Sequence, residues 1–189
     1  GWESVTVPGA VSGWVALSKR FGKLPFKQVL RPAIEFAIEG FHVSPIVAYQ
    51  WELQSSRFIN NPNFVEAFMP NGHPPKAGDL FLSKTQGESL EKIANSYGQD
   101  FYMGELAEKI VADSLKHGSA LSPDDLARHE ANWVEPMKTK YKNCELCELP
   151  PNGQGIAALI ALGILDEFDL ENLGDNTAQS IHIQVEAMK

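Results

Sequence analysis

Cys144 and Cys147 lie three residues apart in CELC, a spacing used by redox pairs and by half of many zinc sites. The surrounding YKNCELCELP reads as a strand, and residues three apart on a strand point to opposite faces. No second Cys or His pair lies nearby to complete a tetrahedral zinc site. A metal or redox role is set aside, and no cofactor is expected. The stretch LPPNGQGIAALIALGILDEFDL, residues 149–170, raises phosphate chemistry instead. A phosphate loop needs converging backbone N–H groups, set glycine spacing and usually a lysine. Only Gly153 and Gly155 are present, no Lys-Ser or Lys-Thr follows, and the prolines remove donors upstream. The segment reads as a rigid strand-to-helix turn.

Thr177 has His182 five residues on, a hydroxyl near a base. Thr177 most naturally caps the terminal helix. Thr6, Thr85 and Thr139 lie in strand or helix-start contexts without a partner base. Asp124 and Asp125 in SPDDLARHE form a carboxylate pair, but Ser122 as N-cap and Asp125 at the third position make a helix start the better reading. His129 ends that helix, where a cation is welcome. His73 is expected in solvent, and His42, beside Phe41, as a satisfied core histidine. Arg20, Arg31, Arg57 and Arg128 are scattered surface or interface charges. No catalytic, substrate-binding or metal residue is assigned within the chain.

The elements that would position any site follow from turn and cap signals. SVTVPG alternates like a strand. AVSGWVALSKRFG reads as a helix stopped by Gly22. LPFKQVLRPAIEFAIEGF starts at Pro25 and ends at Gly40, with a break or kink expected at Pro32. Ser44-Pro45 opens a third helix. From Arg57 to Leu82 the pattern dissolves into turn-rich sequence. Ser83 and Gln86 resemble a capping box. In GELAEKIVADSLKHG, Leu106, Ile110, Val111 and Leu115 form one apolar stripe. EPMKTKY and CELCELP suggest a hairpin around Lys142-Asn143. Asn152 can cap the helix that starts at Gly155, and its nearly continuous apolar run to about Phe168 predicts burial on all sides. Trp14, Trp51, Phe36 and Tyr49 fall at helical spacing and are expected in the core.

The 189 residues, 43% hydrophobic, suit one core or a large piece of a bigger one. A formal charge of −8 without any basic run argues against nucleic acid. The longest apolar stretch is too short to span a bilayer. The first residues lack a signal-peptide pattern, and any export signal would lie upstream. With no initiator Met and a final helix lacking a C-cap glycine, the chain is expected to be a single internal fragment, 1–189, of a longer parent.

The order of pieces resembles the gamma-glutamyltranspeptidase family. VTVPGAVSGW comes first, then RFGKLPFKQVLRPAIEFAIEGFHVSP, then residues 94–141 from ANSYGQDFY to MKTKY, then LPPNGQGIAALIALGILDEFDL, then HIQVEAMK. Together they cover nearly the whole chain. The family's usual PPPSSGG stands here as LPPNGQGI, which with EAMK is similar to the branch that includes acylases. The resemblance implies an N-terminal-nucleophile hydrolase with an αββα sandwich. Its precursor cleaves itself into large and small subunits, freeing a threonine whose α-amine serves as its base. The threonine attacks a gamma-glutamyl amide such as that of glutathione, and the acyl group passes to water or an amino acid. This chain then matches the middle of the large subunit. The nucleophile lies downstream of Lys189 and the substrate-gripping arginine upstream of Gly1.

The expected fold is mainly α with a small β component, the helical part of that sandwich. Expected partners are the small subunit and the remaining large-subunit segments, with a gamma-glutamyl small molecule as the parent's substrate. An apolar patch near the hairpin and terminal helix is expected where those segments dock, with homodimerisation as another use of it. A glutaryl-removing acylase of the same family and a non-catalytic helical interaction module are the competing readings.

Overall fold

A computed structural model describes residues 2–189. The single helical fragment expected over residues 1–189 is built as two compact units, Gly1–Ala131 and Asn132–Lys189. Helices dominate both, as the sequence predicts.

The first unit holds α1 (Ala10–Phe21), α2 (Phe26–Glu39), β1 (Phe41–His42), α3 (Pro45–Phe58), α4 (Pro62–Phe68), β2 (Leu80–Phe81), α5 (Lys84–Ser96), α6 (Gln99–Met103), α7 (Glu105–Lys116) and α8 (Pro123–Ala127). Its main core joins Val11, Phe26, Ile93, Tyr102, Ala107, Val111 and Leu126. A second cluster, Ile34, Leu90 and Ala94, fills the seam between α2 and α5. Gly87 lets these helices close, since a methyl group there would lie 2.5 Å from Ile38 Cγ1. Gly40, at φ 93°, stops α2 where expected.

Several expectations are corrected. SVTVPG forms no strand: residues 2–4 make one 3-10 turn, and Val7 packs on the core instead of pairing. α2 runs unbroken through Pro32. Pro32 lies on the exposed face, where water can reach the Gln28 carbonyl that the missing N–H would have met. Ser83 precedes α5 but makes no side-chain cap bond. The segment thought to dissolve contains α4, capped by Asn61, whose Oδ1 accepts from the Phe64 N–H at 3.2 Å. It also contains β2, which pairs antiparallel with β1, Phe41 opposite Phe81.

An aromatic cluster explains both additions. The Trp51 ring of α3 meets Phe81 of β2 at 4.8 Å and Phe68 of α4 at 6.1 Å. Trp51 thus packs as expected, whereas Trp14, Phe36 and Tyr49 stand on exposed helix faces, outside the core clusters. On α7 the buried line is Ala107, Val111 and Ser114, and Leu115 stands out at 63% exposure. Leu106 and Ile110 of the predicted stripe also pack against the core, so Leu115 is the member that departs.

The second unit is the predicted hairpin followed by three helices. β3 (Met137–Tyr141) pairs with β4 (Cys144–Glu148), Tyr141 opposite Cys144. α9 (Gly155–Asp166) packs on the hairpin and on α11 (Ala178–Met188), with α10 (Leu170–Leu173) between the helices in sequence. α9 is not buried on all sides. Leu159 and Ala161 face inward, whereas Ile156, Ile160, Ile164 and Phe168 form an exposed stripe. On α11, Ile181, Val185 and Met188 are likewise uncovered. The expected apolar patch near the terminal helix is therefore present.

One polar knot ties three parts of the first unit. The Tyr102 hydroxyl donates to the Pro8 carbonyl at 2.7 Å and accepts the Ser12 N–H at 3.0 Å. Replacing Tyr102 with Phe leaves that half-buried N–H and the Pro8 carbonyl without this partner, so a loss of about 1–3 kcal/mol is expected in urea unfolding. Tyr49→Phe, at a ring 63% exposed, is the control and should change stability by less than about 0.5 kcal/mol.

Candidate functional site

The reactive-looking residues are positioned by caps and turns, and the geometry assigns most of them to those caps. Ser122 and Asp125 form a reciprocal capping box: the Ser122 N–H donates to Asp125 Oδ2 at 2.9 Å and the Asp125 N–H to Ser122 Oγ at 3.2 Å. The Ser122 hydroxyl and backbone N–H hold the Asp125 carboxyl below its ordinary value. Asp124 meets Arg128 one turn on, at 3.5 Å. The paired carboxylates are thus helix-start chemistry, as read from sequence.

Thr177 is the N-cap of α11. Its hydroxyl donates to the Leu173 carbonyl at 3.0 Å and accepts the Ser180 N–H at 3.2 Å. His182 is exposed and turned to Glu186 at 4.0 Å. Thr177 therefore gains no base from His182. Cys144 and Cys147 are free and exposed on β4. Among the described residues no group of three His, Cys, Asp or Glu converges on a common point. Among the described residues no helix is long and apolar enough to cross a membrane.

The NGQG turn carries a carboxylate of its own. Gly155 opens α9, with Gln154 rather than Asn152 at the cap position. A methyl group on Gly155 would lie 2.5 Å from Glu148 Oε2 and 2.7 Å from Glu148 Cβ. The Glu148 side chain thus occupies the space at the positive end of α9, where an anion is favoured. A phosphate approaching this turn would meet a negative charge.

The histidines differ from their sequence reading. His42 is exposed, not core, and its Nδ1 meets the Gly78 carbonyl at 3.0 Å. His73 is exposed, with Nδ1 2.9 Å from the Pro74 carbonyl. His129 does not end its helix in open solvent but is half-buried. Its ring stacks on Tyr102, centroids 5.2 Å apart, and Nε2 lies 2.8 Å from Ser12 Oγ. Sequence reasoning missed this Ser–His pair, since 117 positions separate its members and no local pattern links them.

The pair has the distance of a nucleophile and its base. Its surroundings are those of a packing contact. Ser12 Oγ lies 2.8 Å from the Gly9 carbonyl as well as 2.8 Å from His129 Nε2, so its hydroxyl also serves the turn that opens α1. His129 makes no ion pair among the described residues, so no carboxylate orients its ring.

Glu105, at the start of α7, has its pKa lowered to about 2 by hydrogen bonds from Lys109 and Lys92. The trio is solvent-accessible, so it is a surface ion network. A depressed carboxyl stabilises the fold above its ordinary pKa of 4.5, and that contribution fades as pH falls toward about 2.

An apolar cleft of about 570 Å³ opens between α6, α7 and α8. Tyr102, Met103, Ala107, Val111 and Leu115 line it, with Glu108 and Asp124 also on its wall. It holds no nucleophile–base pair.

Gly155→Ala tests the Glu148 contact. At an open helix start, alanine would stabilise by up to about 1 kcal/mol. Here the clash should destabilise by about 1–3 kcal/mol. Adding Glu148→Ala should recover most of the loss in thermal unfolding.

Comparison with known proteins gives the geometry its context. The family model described as Gamma-glutamyltranspeptidase matches residues 1–189. The glutathione hydrolase-like YwrD proenzyme of Bacillus subtilis is 33% identical over 187 residues, covering 99% of this chain and 36% of that protein. Among solved structures, cephalosporin acylase from Bacillus halodurans superposes with TM-score 0.89 and 39% identity, covering 100% of this chain and 36% of that one. Helicobacter pylori gamma-glutamyltranspeptidase does so with TM-score 0.89 and 30% identity, covering 100% and 54%. The chain spans about a third of the length of the curated relatives it matches. Its fold is the helical part of these structures, and the chain belongs to the gamma-glutamyltranspeptidase family.

Proposed function

We propose that this chain is the helical scaffold, within the large subunit, of an enzyme that hydrolyses or transfers gamma-glutamyl groups through a threonine exposed by self-cleavage. The observation that carries the reading is the match along the whole chain to glutathione hydrolases, several of them named proenzymes. The chain's own residues fit a supporting role. Thr177, Asp125 and Ser12 are each committed to a cap or a turn. The nucleophile and the substrate-binding arginine then belong to other segments of the parent.

Those other segments are the proposed partners. The exposed stripe of α9 and the uncovered face of α11 present seven large apolar side chains. Remaining large-subunit segments and the small subunit would cover them. A homodimer through the same face is the alternative use.

A second reading is favoured by one observation. Identity is higher to the Bacillus halodurans cephalosporin acylase, at 39%, than to the Helicobacter pylori transpeptidase, at 30%. Together with LPPNGQGI, this supports an acylase that removes a glutaryl-type side chain by the same nucleophile chemistry.

Expression of the full-length protein, a denaturing gel and N-terminal sequencing test the proposal. A second band beginning with threonine is expected, together with cleavage of a gamma-glutamyl anilide. Residues 1–189 alone should show background rates. Faster turnover of a glutaryl-cephalosporin than of the anilide would select the acylase reading. A single uncleaved band would overturn both.

A further inference from the structure

The charge of the first unit is unevenly placed. Residues 4–34 contain Lys19, Arg20, Lys23, Lys27 and Arg31 and no Asp or Glu, in a chain of net charge −8. The end of α1 and the turn after it also expose Leu17, Phe21 and Leu24, each more than half accessible. The Arg20 guanidinium lies over the Phe21 ring at 5.2 Å. This is a basic, apolar knob.

The cleft of α6, α7 and α8 has the complementary features. Met103 and Leu115 flank it, each 63% exposed. Ala107 and Gly104, both small, leave room between those two side chains. Glu108 makes no ion pair among the described residues, and Asp124 has only the long contact to Arg128. At about 570 Å³ the cleft lies within the roughly 300–1,000 Å³ range of clefts that take a ligand.

We propose that this cleft receives the α1 end of a second copy of the chain, Phe21 and Leu24 entering between Met103 and Leu115 while Lys19 and Lys23 face Glu108 and Asp124. Apolar side chains supply the contact energy and the charges set the register. A like pairing of two clefts would bring carboxylates together, so the contact is knob into cleft. If reciprocal, it closes as a two-fold dimer. The proposal does not depend on the enzymatic reading above.

Sedimentation equilibrium of the full-length protein tests it, at about 20 mM and about 500 mM salt. Self-association is expected, weaker at high salt. Glu108→Lys with Asp124→Lys should weaken it at least tenfold, as should Lys19→Glu with Lys23→Glu. Combining all four exchanges the charges and should restore most of it. Leu115→Ser should weaken association at both salt concentrations. Circular dichroism confirms that each variant keeps its helix content. A protein monomeric throughout overturns the proposal. So does an assembly that ignores these changes, which would place the contact on α9 and α11, and so does a failure of the charge exchange to restore binding.

Discussion

The first unit depends on the Tyr102 side chain. Its hydroxyl serves two backbone groups, at Pro8 and Ser12, and its ring serves the core on one side and His129 on the other. The backbone before α1 therefore has no need of a strand partner. The segment SVTVPG alternates, but alternation describes side chains, whereas a strand also needs a neighbour to take its N–H and C=O groups. Tyr102 and the Gly9 turn take that part at the start of α1, and Val7 is left to pack rather than to pair. His129 then closes over the ring and holds the Ser12 hydroxyl. A group that looks catalytic by distance is thus the lid of a packing arrangement.

What was legible in the sequence is what depends on neighbours within four residues. The caps at Ser44, Ser122 and Thr177 and the Lys142-Asn143 hairpin stand where read, because a cap or a two-residue turn carries its whole reason locally. The cap at Asn61 with Pro62 is equally local, yet Asn and Pro there also read as turn signals. The same residue types open helices and turns. The length of the apolar pattern afterwards, here only Phe64, Val65 and Phe68, was too short to decide.

The misses share a different cause: they need a partner far along the chain. β1 and β2 are two residues each and pair across nearly forty positions, held by the Trp51 rings rather than by a strand-like run. His42 was placed in a core because of its apolar neighbour, but the short ladder turns it outward. The place of His129 could be read only from Tyr102 and Ser12. No chemical group in the cleft of α6 to α8 announced it either. Its walls are ordinary helix-face residues whose arrangement comes from how three helices meet.

The uncovered face of α9 and α11 is a different matter, because there the sequence predicts burial on all sides and these residues bury one side only. A near-continuous apolar run implies burial on all sides. One side of α9 is buried by α11 and the hairpin, and the other is bare. Ile156, Ile160, Ile164, Phe168, Ile181, Val185 and Met188 are each between 42% and 65% exposed. Covering a large apolar side chain from full exposure contributes about 1.5–3 kcal/mol, so finishing the burial of these contributes roughly 1 kcal/mol apiece. The sum, several kcal/mol, is comparable with the entire net stability of a typical domain, about 5–15 kcal/mol. A second unit with this face in water holds its fold by the hairpin and one helix seam. With the face covered, it gains a layer whose energy exceeds any single cap or ion pair in it. The helix pattern was therefore written for more surroundings than these residues supply.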